Sequence, residues 1–165
     1  MNLSEMFLKE LHLESIITLR FLETVPDDRF TWKPHEKSMT LGQLVNHIAE
    51  LPGWISMMLA TKELDFEATP YTPNEETNPD TISSSFRNHV RDAEKALKEA
   101  KEEDFQQDWT LRTGSMIHLV APRWEVIRHT FNQLTHHRAQ LGVYFRLLDR
   151  PVPSSYGGSA DDSSF

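Results

Sequence analysis

Residues 122–148, PRWEVIRHTFNQLTHHRAQLGVYFRLL, decide how the chain is read. Pro122 suits the first turn of a helix, where a missing N–H has no intrahelical partner to lose. From there Trp124, Ile127, Phe131, Leu134, Leu141, Phe145 and Leu148 recur at the spacing of one helical face. This predicts an amphipathic helix running to about Leu148. A helix with one apolar stripe must cover it against other elements.

Working outward, three more segments carry the same signal. Residues 40–61, TLGQLVNHIAELPGWISMMLAT, place Leu41, Leu44, Ile48, Leu51, Ile55 and Met58 on one line. Thr40 reads as the N-cap, with Gln43 at the capping-box position. Pro52 and Gly53 lie inside this helix and predict a kink or a break. A first helix is expected from about Leu3 to Thr24, with Ser4 as a cap and Pro26 just past its end. Residues 26–39 (PDDRFTWKPHEKSM) and 65–80 (DFEATPYTPNEETNPD) read as loops. A third helix then starts at Asp80 or Thr81 and reaches about Lys101, on the line Ile82, Phe86, Val90, Ala93, Leu97 and Ala100.

Residues 104–120 are different: WTLRTGSMIHLV alternates around Thr113 and Gly114, which leaves room for a short β-hairpin before the last helix. The tail PVPSSYGGSADDSSF reads as loop or frayed end. The expectation is an all-α, four-helix-bundle domain over residues 1–150, with 151–165 as a C-terminal tail. Linkers of unequal length leave an up-down-up-down topology and a crossover topology both open.

At 165 residues the chain suits one domain with a core of its own. It has no run of 18 apolar residues, so no membrane span is expected. The opening MNLSEMFLKELHLE mixes acids into its apolar positions, unlike a signal peptide, which points to a cytoplasmic protein. A net charge of -8, with scattered Lys and Arg, argues against a nucleic-acid partner. The absence of cysteine excludes disulfides and thiolate metal sites, so any metal must sit on His, carboxylate or amide ligands.

The eight histidines are informative by position. His137 lies roughly 80° from the centre of the apolar stripe of the last helix, at the edge of the core. Gln133, one turn earlier, lies roughly 120° away. His47 lies roughly 85° from the stripe of the second helix, rotated in the same sense. Two edge histidines on two helices could face one cleft. An edge histidine can equally be amphipathic filling with a single hydrogen bond.

The stretches MTLGQLVNHIAELPGW and RHTFNQLTHHRAQLGVYFRLLDRPVPSSYG resemble the DinB/YfiT-like superfamily of metal-dependent proteins. The resemblance implies a four-helix bundle with crossover connections, commonly as a homodimer. It also implies a site of three histidines, one on the second helix and two spaced by four on the last. His47 matches the first of these and His137 the last, while the middle position falls on Gln133. An amide oxygen is a harder and weaker ligand than imidazole for zinc or nickel. The family's HHRGQ stands here as HHRAQ, with Ala139.

Neighbouring residues have two readings each. Glu50, one turn after His47, is either a solvated acid or a base near the site. His129, four residues before Gln133, is a substitute ligand if its face closes the site. His136 points about 100° away from His137 and suits a supporting or interface role. Arg138 falls on the core stripe and requires a partner, a carboxylate before an anion. Trp54 and Tyr144 either line the cleft or belong to the core.

The resemblance further implies a divalent metal, zinc or nickel, with open coordination positions and a small-molecule substrate. Relatives of this kind use a low-molecular-weight thiol such as bacillithiol or mycothiol in S-transfer or isomerisation. A second reading is a metal-dependent hydrolase with Glu50 as base. A third is a non-catalytic, stress-related bundle with a vestigial site.

Overall fold

The computed structural model describes residues 2–164. Among these are four long helices, one short turn of helix and a small three-stranded sheet. Helix α1 spans Leu3–Leu22, α2 Leu41–Ala60, α3 Pro79–Glu99, α4 Glu102–Phe105 and α5 Arg123–Leu147. The strands are β1 Glu63–Asp65, β2 Asp108–Thr113 and β3 Met116–Pro122. The chain is therefore mostly helical but not all-α. The alternation read in residues 104–120 forms the antiparallel β2–β3 hairpin, and β1 adds a parallel edge to it, with Leu64 opposite Leu111. That third strand was not expected, because three residues carry too little periodicity to be seen. The hairpin turns at Gly114, whose φ of 54° lies in the left-handed region. Its N–H donates to Asp65 Oδ1, and any side chain there would run into Glu67.

The helix starts show how local chemistry sets boundaries. Thr40 caps α2 with the reciprocal Gln43 bond, as the capping box predicts. For α1 the cap is Asn2, not Ser4: Asn2 and Glu5 complete their own capping box. Ser4 lies inside the first turn and its hydroxyl donates to the Leu97 carbonyl on α3. No helix among the described residues is long and apolar enough to cross a membrane.

Both α2 and α1 pack on α3 and α5. The whole predicted line of α2 is buried, as are Ile127, Phe131, Leu134, Leu141 and Phe145 on α5. The core divides into two apolar clusters. One gathers Phe21, Leu44, Ile48, Phe86 and Phe145, and the other Phe7, Ile55, Leu97, Trp109 and Phe131. Helix α1 passes from Leu11 in the second to Phe21 in the first through two buried polar residues, Glu14 and Thr18. Glu14 pairs with Arg138 of α5 at 2.5 Å, and Arg138 also donates to the Thr18 hydroxyl at 2.9 Å. Arg138 therefore has the carboxylate partner that its place on the stripe requires.

The tail is loop, and it folds back onto this layer. Tyr156 donates to Glu14 Oε1 at 2.6 Å and accepts from Arg138 at 2.7 Å. Its phenol is held above the ordinary pKa by burial first and by the bond to Glu14 second. Ser154 is buried, Asp161 pairs with Arg146 of α5, and Asp162 pairs with Arg20 of α1. The sequence VPSSYG is thus a docking segment for the buried Glu14–Arg138 pair.

Pro52 does not break α2, which runs through it. A proline inside a helix removes one donor and disturbs the carbonyls one turn earlier. Next to the affected Ile48 carbonyl, Ala49 O accepts a hydrogen bond from His89 Nδ1 of α3 at 2.8 Å. The imidazole lies flat against Gly53, where an added Cβ would meet His89 Cδ2 at 3.0 Å. Gly53→Ala is therefore expected to destabilise the protein by about 1–2 kcal/mol through overpacking. The same change in a His89→Ala background should stabilise it by up to about 1 kcal/mol, the ordinary helical advantage of alanine. Urea unfolding of the four proteins tests this; a gain in both backgrounds would show that His89 yields freely.

Candidate functional site

Helices α2 and α5 bring the two edge histidines together. The rings of His47 and His137 meet edge to face, with centroids 4.6 Å apart. Both are half-buried, a consequence of their positions at the margins of the apolar stripes. Burial is the main reason that both imidazoles titrate below the ordinary histidine value. For His47 the His137 charge lowers it further and the Glu50 carboxylate opposes this. For His137 the bond to Gln140 opposes the fall and the His136 charge adds to it. Near neutral pH both rings are therefore uncharged, the state in which imidazole offers a lone pair.

Hydrogen bonds along α5 assign the tautomers. Gln140 Oε1 accepts from His137 Nδ1 at 2.9 Å, so Nδ1 carries the proton and Nε2 the lone pair. The amide nitrogen of Gln140 donates to His136 Nε2 at 3.0 Å, and the His136 ring lies 4.9 Å from that of His137. His136 thus supports His137 through Gln140, although consecutive helical positions diverge by about 100°. Gln133 is tied in the same way: its amide nitrogen donates to His129 Nε2 at 3.2 Å. The amide oxygen of Gln133 is left as its lone-pair atom, and the His129 lone pair is used.

Beside His47 opens a cavity of about 220 Å³, whose walls include Leu51, Trp54, Trp109, Leu111, Leu119 and Val126, with His129, Thr130 and Gln133 on the α5 side. Trp54 therefore lines the cleft. Tyr144 does not: it sits in the core, edge-on to Trp32, and its hydroxyl donates to the Met39 carbonyl. The hairpin contribution was not read from the sequence, although Trp109 and Leu111 alternate on one face of β2 as wall residues should. Glu14, the partner of Arg138, was also missed. Its signal was an acid on the line Phe7, Leu11, Thr18 and Phe21.

Both oxygens of Glu50 already accept hydrogen bonds, from the Tyr71 hydroxyl at 2.8 Å and from the Asn74 N–H at 3.3 Å. Burial and this carboxylate raise the Tyr71 phenol to about 12. Glu50 thereby pins the loop before α3 and does not stand as an unengaged base.

Among the described residues no three His, Asp or Glu side chains are grouped to hold an ion. A divalent cation between α2 and α5 would have as its candidate donors two neutral imidazoles, His47 and His137, and the amide oxygen of Gln133. Such a set fits a cation that keeps open positions, since none of the three is anionic and none closes a tetrahedron.

The fold is shared with solved structures. A DinB-like protein from Bacillus cereus superposes with a TM-score of 0.69 at 21% identity, over 92% of this chain and 97% of the other. A DinB-like protein from Bacillus subtilis gives 0.68 at 16% identity, over 88% and 94%. A mycothiol-dependent maleylpyruvate isomerase gives 0.61 at 17% identity, over 86% of this chain but 63% of the isomerase. No curated protein matches the sequence. The sequence pattern of the DinB family matches residues 1–164, and the chain belongs to that family.

Proposed function

We propose that this protein is a metal-dependent enzyme that uses a low-molecular-weight thiol in an S-transfer or isomerisation reaction. His47, His137 and Gln133 hold the cation, zinc or nickel. The observation that carries this reading is the contact of two neutral imidazoles, 4.6 Å apart, beside an apolar cavity. A divalent cation at such a place supplies Lewis acidity that brings the pKa of a thiol toward neutrality. The residues around it orient and exclude. Gln140 holds the proton of His137 on Nδ1, which leaves Nε2 as the atom with a lone pair for a cation. Trp54, Leu111 and Leu119 keep water from one side of the cleft. The likeness to a mycothiol-dependent isomerase favours a thiol cosubstrate over hydrolysis. In this reading α1, α2, α3 and α5 are the family's four-helix bundle with crossover connections, and the working unit is a cytoplasmic homodimer.

Metal analysis of untagged protein, zinc calorimetry and turnover with a panel of thiol cosubstrates test the proposal. His47→Ala and His137→Ala should each weaken zinc binding by on the order of 100-fold. Unchanged affinity in both would remove the metal from this cleft. The pH dependence has a definite sign. Neutral rings bind the cation, and both titrate below the ordinary 6.5. Zinc affinity should therefore hold steady down to pH ~6.5 and fall only below it, as protons begin to compete. A steep fall already between pH ~8 and ~7 would contradict neutral His47 and His137 ligands.

A further inference from the structure

The cavity beside His47 is built by four elements, and its composition points to one class of ligand. Leu51 and Trp54 follow His47 on a single face of α2, at the third and fourth positions of successive turns. Val126, His129, Thr130 and Gln133 form the matching face of α5. Trp109 and Leu111 share the inner face of β2, and Leu119 stands opposite Leu111 on β3. Trp109 is locked in place by its indole N–H, which donates to Thr61 Oγ1 at 3.0 Å. The space is therefore framed by elements that pair and pack independently of any ligand.

None of its lining residues is Lys, Arg, Asp or Glu. The polar groups that do face it are partly committed. The Thr130 hydroxyl donates to the Val126 carbonyl of its own helix, and the Gln133 amide nitrogen donates to His129. In the metal-free protein a carboxylate entering here would lose its water with no Lys or Arg among the lining residues to replace it. An uncharged body loses only water from apolar surface, which is favourable. Size narrows the choice. An apolar cavity of about 150 Å³ accommodates a benzene ring. About 220 Å³ accommodates such a ring with a short side arm.

We infer that this cavity holds the uncharged aromatic or branched aliphatic body of the substrate, with its polar end toward His47. The inference rests on the proposed function for its placing of the chemistry at His47. Its binding preference is separable from that reading.

Benzyl alcohol and benzoate share one ring and differ in charge, which makes them suitable probes. Each is titrated into the metal-free wild-type protein while the indole N–H signals of Trp54 and Trp109 are followed by NMR. Zinc calorimetry is run on the same samples. Benzyl alcohol should shift both signals saturably, and benzoate should bind at least about tenfold more weakly, since a lone carboxylate is penalised there. Val126→Phe on α5 and Leu119→Phe on β3 fill the space from opposite walls, and either folded variant should abolish the shifts. Benzoate binding as tightly as the alcohol would overturn the inference, as would unchanged shifts in a folded filling variant. Zinc binding without any benzyl alcohol binding overturns the cavity assignment alone. Selective benzyl alcohol binding without zinc binding supports the cavity assignment and overturns the metal reading.

Discussion

Glu14→Gln or Arg138→Met is expected to destabilise this protein by about 3–5 kcal/mol, because either leaves a buried charge without its counter-ion. The two side chains are only 4% and 2% exposed, and their closest atoms lie 2.5 Å apart. For a chain of this size the loss corresponds to a fall in Tm of roughly 6–20 °C. The pair also organises what surrounds it. Arg138 reaches Thr18 and Tyr156 as well as Glu14, and Tyr156 reaches back to Glu14. Removing one member therefore strands polar groups on α1, α5 and the tail together.

The double variant Glu14→Leu/Arg138→Met should recover most of the loss, to within about 2 kcal/mol of wild type, because the desolvation cost disappears with the charges. The Thr18 hydroxyl can then turn to the backbone carbonyl of position 14, one turn earlier. The Tyr156 hydroxyl keeps its hydrogen bond with the Thr135 hydroxyl at 3.1 Å. Thermal unfolding followed by circular dichroism measures all three variants. Single variants that lose less than about 1 kcal/mol would mean that water already screens the pair.

The second large effect is a gain. Gln133→His should tighten zinc binding by on the order of 100-fold, because an imidazole replaces an amide oxygen one turn before His137. That factor is about 2.8 kcal/mol. Both side chains lie on α5, whose backbone need not move. The hydrogen bond from Gln133 to His129 is lost in the exchange. The introduced imidazole would also sit one turn after His129, which offers a competing pair of ligands. The triple comparison of Gln133→His, Gln133→His/His137→Ala and Gln133→His/His129→Ala separates the two. Gain that survives loss of His129 and vanishes with loss of His137 assigns the site to the cleft facing His47. Gain that follows His129 instead would move the site outward on α5, and no gain in any variant would leave no metal site for Gln133 to complete.

Much of the fold was legible because helical periodicity is a local property. The stripe of α2 is buried at every predicted position, and the cap of Thr40 by Gln43 follows from residues three apart. The edge positions of His47 and His137 follow from the same arithmetic. A β-alternation in six or seven residues was enough to suggest the hairpin, since pairing partners there are close in sequence. The three residues of β1 were not legible, because only the packing of a distant strand makes them a strand.

What the sequence by itself determined is therefore which faces are apolar, where the helices begin, and which histidines stand at the margins. Each of these depends on interactions within a few residues. Only the tertiary structure decided that the His47 margin of α2 meets the His137 margin of α5, that Glu14 is the partner of Arg138, and that Tyr156 returns to both. It also decided that His89 packs against Gly53 and that the hairpin walls a cavity beside His47. These contacts depend on how separate helices are rotated and shifted against one another. That relation is set by close packing of side chains far apart in the chain, and no local spacing encodes it.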